Sequence, residues 1–414
     1  CPKGKFMDHE TATCETVPEG VRKDIEGMNV TSQSLKAGYW RTSATSRKVY
    51  QCLSPDHCIG GDDIDKQCKE GHQGPKCGVC SDGFASTGSS ETLKCNKCEG
   101  GNATQTIIIY LSIFATVVVL VVMVTCCCKK RNGEDEVALT SDDGLDEGRS
   151  NRSTSARAER TLSRAENVME GIQEAQPFIK IITSYFQIIG GLSWSLSITF
   201  PPAFRSFVSF TSSIVNLDFL NLMPLGCITT SDFHRRLVVM TLVPLVVGFL
   251  MILAYKAFKA AGKKQRANEI FGWFLFLSFL VLPSVSMMCF QQFGCTTFDG
   301  DYGSYLTVDL SIDCDSAEHK FYDKYSLFFI GVYPIGIPFM YYLLLKRMRQ
   351  YLDPGQADLE TIYGPEEGLR RAVETRKRLE AEHEDIGSLT FLYSSYEPKY
   401  YYYEIVETIR KLVL

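Results

Sequence analysis

Leu237–Tyr255 reads LVVMTLVPLVVGFLMILAY, a run with no charge between Arg236 and Lys256. At about 1.5 Å per residue such a run covers close to the ~30 Å hydrocarbon core of a bilayer. A helix on a soluble core would interrupt it with polar residues every three to four positions, and none recur here. Lipid offers no partner to backbone N–H and C=O groups, so a stretch of this kind is helical throughout. Four further stretches share the pattern: 104–128, with Ile107–Val124 almost wholly aliphatic, then 181–204, 270–290 and 325–345. The fold class expected is an all-α transmembrane bundle preceded by a small disulfide-rich ectodomain of loops and short strands.

The averages hide this segregation. The chain has 414 residues, 45% hydrophobic and 22% charged, with a formal net charge of −5. Those values exclude a disordered tail, a collagen-like fibre and a strongly basic nucleic-acid binder. Nine of the sixteen cysteines fall before residue 100, in a Gly-, Asp- and Ser-rich segment too poor in aliphatics to bury a core without cross-links. An oxidising compartment follows, and the odd count predicts one partner upstream of Cys1. Zinc-ribbon spacing at Cys77-x-x-Cys80 and Cys95-x-x-Cys98 is the alternative, opposed by the glycines and by the spans that follow.

Flanking charges orient the spans. Lys129–Arg131, the Lys256–Arg266 cluster and Lys346, Arg347 and Arg349 share one side if the N-terminal region is outside, with Arg235 and Arg236 the exceptions. Cys227, Cys289, Cys295 and Cys314 then reach the oxidising face with the first nine. The disulfide set expected is therefore drawn from Cys52, Cys58, Cys68, Cys77, Cys80, Cys95, Cys227, Cys295 and Cys314. Cys126, Cys127 and Cys128 end the first span at its inner edge, where S-acylation and simple completion of the span stand level. Asn29-Val30-Thr31 is the glycosylation site expected outside; Asn102 lies too near the bilayer and Asn151 on the cytosolic side.

The resulting layout is an extracellular region at 1–100, a first span at 104–128 and a disordered cytosolic linker at 129–177, where acids mix with Ser, Thr and Arg. Four spans follow within 178–346, with outer loops 205–236 and 291–324. A cytosolic segment at 347–398 carries a charged helix with Glu374 and Arg378 at helical pairing distance. Residues 399–414 form the amphipathic start of a sixth span. The acidic outer loop offers Asp299, Asp301, Asp309 and Asp313 as weak oxygen ligands for Ca²⁺, although an acidic solvated surface is the favoured reading. No span carries an interior charge. Pro244, Pro283 and Pro334-Ile335-Gly336-Ile337-Pro338 mark kinks.

Catalytic signatures are missing: there is no Gly-rich phosphate loop, no H-E-x-x-H and no kinase set. Neither enzymatic activity nor a cofactor is expected. The partners expected are the bilayer and an extracellular ligand or matrix, with self-association left open and no nucleic acid.

Two stretches resemble known families. Cys1-Pro-Lys-Gly-Lys-Phe with Thr13-Cys14 and Pro18-Glu-Gly20 resembles the tail of an ephrin-receptor-like cysteine repeat, lacking the cysteine usual near Val17. Cys68-Lys-Glu-Gly-His-Gln-Gly-Pro-Lys-Cys77-Gly-Val-Cys80 with Cys95-Asn-Lys-Cys98 is similar to half of a laminin/EGF-like module, which implies pairing of Cys68 with Cys77 and Cys80 with Cys95. Residues 178–414 resemble the multi-pass region of TRP-like or polycystin-like proteins of algae and other protists. Tyr185-Phe-Gln187, Cys227, Tyr302, Asp309, Cys314, Tyr333-Pro334, Gly336, Pro338, Tyr396, Pro398, Glu404 and Arg410-Lys411-Leu412 carry that likeness. It implies a cation channel or channel-like sensor at the plasma membrane or another exoplasmic-facing membrane, with the pore beyond Leu414. The alternative is a non-conducting multi-pass receptor or adhesion protein.

Overall fold

The computed structural model describes residues 1–8, 13–24, 26–87, 93–98, 178, 180–189 and 232–413. The span expected at 104–128, the linker 129–177, most of the span at 181–204, Cys126–Cys128 and Cys227 lie outside the described residues. The chain divides into two compact units, Cys1–Lys97 with Ile181–Leu414, and Cys98–Lys180. In the first unit a cysteine-rich module of short strands precedes a mostly helical part.

Among the described residues, four two-stranded antiparallel ribbons make up the module. They are β1 (Lys5–Asp8) with β2 (Thr13–Thr16), β3 (Tyr39–Trp40) with β4 (Tyr50–Gln51), β5 (His72–Gln73) with β6 (Val79–Cys80), and β7 (Phe84–Thr87) with β8 (Lys94–Lys97). Ribbons this short do not persist in water alone. Disulfides Cys1–Cys14, Cys52–Cys58, Cys68–Cys77 and Cys80–Cys95 fasten them. Cys1 thus finds its partner within the module rather than upstream, and Cys98 is disulfide-bonded too. A small apolar centre gathers Phe6, Val17, Val21, Met28, Val30 and Leu35. The buried Arg41 closes it: its Nη1 donates to the Val30 carbonyl at 3.0 Å, and its backbone N–H donates to Gln67 Oε1 at 2.8 Å.

Residues 180–189 are helical, and Gln187 Nε2 donates to the Leu280 carbonyl at 3.0 Å; further along comes an antiparallel hairpin, α1 (Phe233–Ala260) and α2 (Lys264–Gln291). Then α3 (Ala317–Ile330) runs through a wide π-helical turn at Gly331–Ile335 into α4 (Gly336–Arg347). The turn accommodates Pro334, which has no N–H to give to a regular helix. Among the described residues three helices are therefore long and apolar enough to cross a membrane: Phe233–Ala260, Lys264–Gln291 and Ala317–Arg347. Each overruns its sequence-read span because polar end residues continue the helical hydrogen bonding.

Apolar contact gives little net attraction between helices in lipid, so polar pairs decide how they seat. Tyr333 OH donates to the Thr241 carbonyl at 2.7 Å, the Thr241 and Tyr325 hydroxyls lie 2.6 Å apart, and those of Ser278 and Tyr341 2.7 Å apart. Cys289, expected at the oxidising face, is instead an unpaired thiol buried inside α2 among Val285, Phe329 and Tyr333.

Between α2 and α3 the stretch expected as an outer loop forms a three-stranded antiparallel sheet, ordered β11 (Asp309–Asp313), β10 (Ser304–Leu306), β9 (Cys295–Thr297) and closed by Cys295–Cys314. After α4 come α5 (Gln356–Tyr363), α6 (Pro365–Glu382), two short helical turns at Glu384–Gly387 and Thr390–Tyr393, and α7 (Tyr403–Val413). The charged helix α6 pairs Glu367 with Arg370 and Arg371, and Arg376 with Glu380. Gly368 lets α6 lie directly on α5, since a Cβ there would stand 2.5 Å from Glu360 backbone atoms. Gly368→Ala should therefore push the two helices apart and destabilise this part by about 1–3 kcal/mol. Faster proteolytic cleavage between Tyr351 and Tyr400 would register the loss; an unchanged cleavage rate would refute the close packing.

Candidate functional site

The module docks on the α2–α3 connection through an aromatic nest. Trp40, at the end of β3, meets Phe298 edge-on at 5.6 Å between ring centroids and Tyr302 at 5.2 Å, while Tyr50 of β4 meets Phe298 at 5.2 Å. Trp40, Phe298 and Leu310 are all buried and form one apolar cluster with Cys52, Cys58 and Cys77. Edge-to-face rings add specificity to this burial. Gly78 permits the approach, because a Cβ there would stand 2.8 Å from a Leu310 methyl.

A carboxylate anchors the rim. Asp299 Oδ1 accepts from the Thr42 hydroxyl at 3.0 Å and from Tyr50 OH at 3.1 Å, and Oδ2 accepts from the Ser46 hydroxyl. The Asp299 N–H returns a bond to the Tyr50 hydroxyl oxygen at 3.1 Å. Burial pushes the Asp299 carboxyl up, but the bonds from Ser46, Thr42 and Tyr50 outweigh it and hold the group below its ordinary value. Lys76 completes the nest, its Nζ lying 5.9 Å from the Tyr50 and Phe298 ring centres, and burial lowers its pKa. Its backbone is left-handed, with φ of 52°, a conformation uncommon for a residue with a side chain.

The four aspartates of the sequence reading are dispersed. Asp299 serves the docking contact, Asp301 is exposed, Asp309 Oδ2 accepts from the Phe233 N–H at 2.9 Å, and Asp313 Oδ1 accepts from the Asp315 N–H at 2.8 Å. Among the described residues the one group with metal-ligand spacing is Cys295, Cys314 and His319. Both sulfurs are joined in the disulfide, so the group offers no thiolate. His319 Nδ1 instead accepts from Gln292 Nε2 at 3.0 Å. Asn29 sits half-buried in a turn, with its Oδ1 taken by Thr31 and Ser32.

Trp40, Thr42, Ser46, Tyr50, Lys76 and Phe298 were not singled out from the sequence. The available signal was the placing of Phe298, Tyr302 and Tyr305 in an otherwise acidic loop, where aromatics call for a covering surface. The docking joins residues some 250 positions apart, and both partners lie at the same end of the helices. The Lys256–Arg266 and Lys346–Arg349 clusters lie at the opposite ends of those helices. Three apolar helices and a disulfide-stapled module mark a membrane-embedded protein. No protein-family model, curated protein or solved structure matches the chain.

Trp40→Ala should weaken the docking by about 3–5 kcal/mol, the range for emptying a buried aromatic site. Hydrogen exchange in β9–β11 should then accelerate while that of α1 and α2 stays unchanged. Equal exchange in both variants would show that the nest carries no docking energy.

A second outcome concerns acid. His57 and His72 stack at 3.9 Å between ring centroids. Burial lowers both values, and for His57 the neighbouring His72 lowers it further. The unfolded chain thus takes up protons at a higher pH than the folded module does, so stability is full above about pH 6.5 and falls as the pH drops through the depressed folded values. The thermal midpoint of the disulfide-intact protein should decline from pH 7 to pH 5, and His72→Gln should flatten the decline.

Proposed function

We propose that the chain is a multi-pass surface membrane protein of the TRP-like or polycystin-like kind, with the cysteine-rich module on the exoplasmic side. There it meets a ligand, matrix or mechanical load and passes the load to helices that serve a cation path. The observation that carries this reading is the docking of Trp40, Tyr50 and Lys76 on Phe298 and Asp299. Displacing the module displaces the connection that joins α2 and α3, and with it the helix ends. The disulfides favour an oxidising exterior for this end, and the Lys and Arg clusters favour the cytosol for the other. The π-helical turn at Gly331–Ile335 supplies a place where α3 and α4 can change their relative rotation.

Reconstitution of the full-length protein in liposomes, with the region expected to hold the pore after Leu414 included and ion flux recorded while the module is loaded by force or matrix, tests the proposal. A cation flux that responds to the load, and that loses its response in Asp299→Ala, is the expected result. A protein that inserts with the module outside yet passes no ions under any load would favour the non-conducting receptor or adhesion reading. Exoplasmic basic clusters would overturn the orientation itself.

A further inference from the structure

Helix α7 (Tyr403–Val413) is inverted relative to a helix resting on a water-soluble core. Its buried positions are Glu404 and Thr408, whereas Val406, Ile409, Val413 and the preceding Tyr402 are exposed. At about 100° per residue, Tyr402, Val406, Ile409 and Val413 form one stripe, and Glu407, Arg410 and Lys411 form another between that stripe and the buried face. The helix packs along α2 and α4. Ile405 packs on the cluster that contains Leu275, Tyr341 and Leu345, and Leu412 on the cluster with Leu282, Phe329 and Tyr333.

The height of the charges follows from α2. Lys411 Nζ lies 3.9 Å from the ring centre of Phe279. Phe279 is nine residues past Ile270, the first position beyond Glu269, hence about 14 Å along a helix and near the middle of a ~30 Å hydrocarbon layer. Next to Lys411, Arg410 Nη2 pairs with Glu407 Oε2, one turn back in the same strip, at 2.7 Å, and the Arg410 side chain is 48% exposed. The expectation of spans free of interior charge thus meets a helix that brings three ionisable groups to mid-height. A charge facing hydrocarbon at such depth is strongly disfavoured, and intramembrane charges face protein or water.

We propose that the Glu407–Arg410–Lys411 strip lines a water-filled crevice running along α2 from the basic end of the bundle to the level of Phe279, open to small hydrated ions. The apolar stripe beside it faces lipid. This rests on the reading of the apolar helices as membrane spans, and the test separates the two. Single cysteines replace Glu407 and Arg410 in the strip and Val406 and Ile409 in the stripe, in the full chain in liposomes. A membrane-impermeant charged thiol reagent is added on the side of the basic clusters, and labelling is referred to the parent protein. Glu407→Cys and Arg410→Cys should react at least tenfold faster than Val406→Cys and Ile409→Cys. Strip cysteines as slow as the stripe would overturn the crevice while leaving the spans in place. Fast reaction at all four would put α7 outside the bilayer and overturn the membrane placement of this helix. Lys411→Cys keeps the Glu407–Arg410 pair intact, so a folding failure of either pair variant leaves the test decidable.

Discussion

Asp299 holds three hydroxyl donors at the edge of an aromatic nest, and the union of module and helices depends on that arrangement. The rings of Trp40, Tyr50, Phe298 and Tyr302 remove water from the centre, which strengthens the carboxylate bonds at the rim. Neither partner has a large core of its own. The module's apolar centre is six side chains, and the sheet β9–β11 is closed by a single disulfide. Each therefore gains much of its burial from the other.

Within the helical part the constraint changes sign. Water-driven association is weak between apolar surfaces in lipid, and the hydroxyls of Thr241, Tyr325, Tyr333, Ser278 and Tyr341 provide the directional bonds. They link α1 to α3 and its π-helical turn, and α2 to α4. Proline 334 lies between these two sets of bonds, so the wide turn has a fixed partner on each side.

The apolar helices were legible because their signal is local: uninterrupted hydrophobicity over the length of a bilayer needs no knowledge of neighbours. The cysteine-rich region was legible from composition for the same reason. The docking contact was not, since it pairs Trp40 with Phe298 and Tyr50 with Asp299 across most of the chain, and no short window contains both sides. Asp299 illustrates the difficulty. In sequence it is one acid among many, and only its three hydroxyl neighbours distinguish it from Asp301, which is exposed. Helix α7 was read as amphipathic, but which of its faces turns inward is a matter of what lies beside it, and the residues buried are Glu404 and Thr408.

The described bridges have one further property. Cys1–Cys14, Cys52–Cys58, Cys68–Cys77 and Cys80–Cys95 each join consecutive cysteines, with no ring threaded through another. Each of these four rings can close as soon as its second thiol reaches the oxidising compartment, without waiting for distant chain. These rings can thus form from the N-terminal end while the hydrophobic segments are still being made, and they are in place when Phe298 and Asp299 arrive.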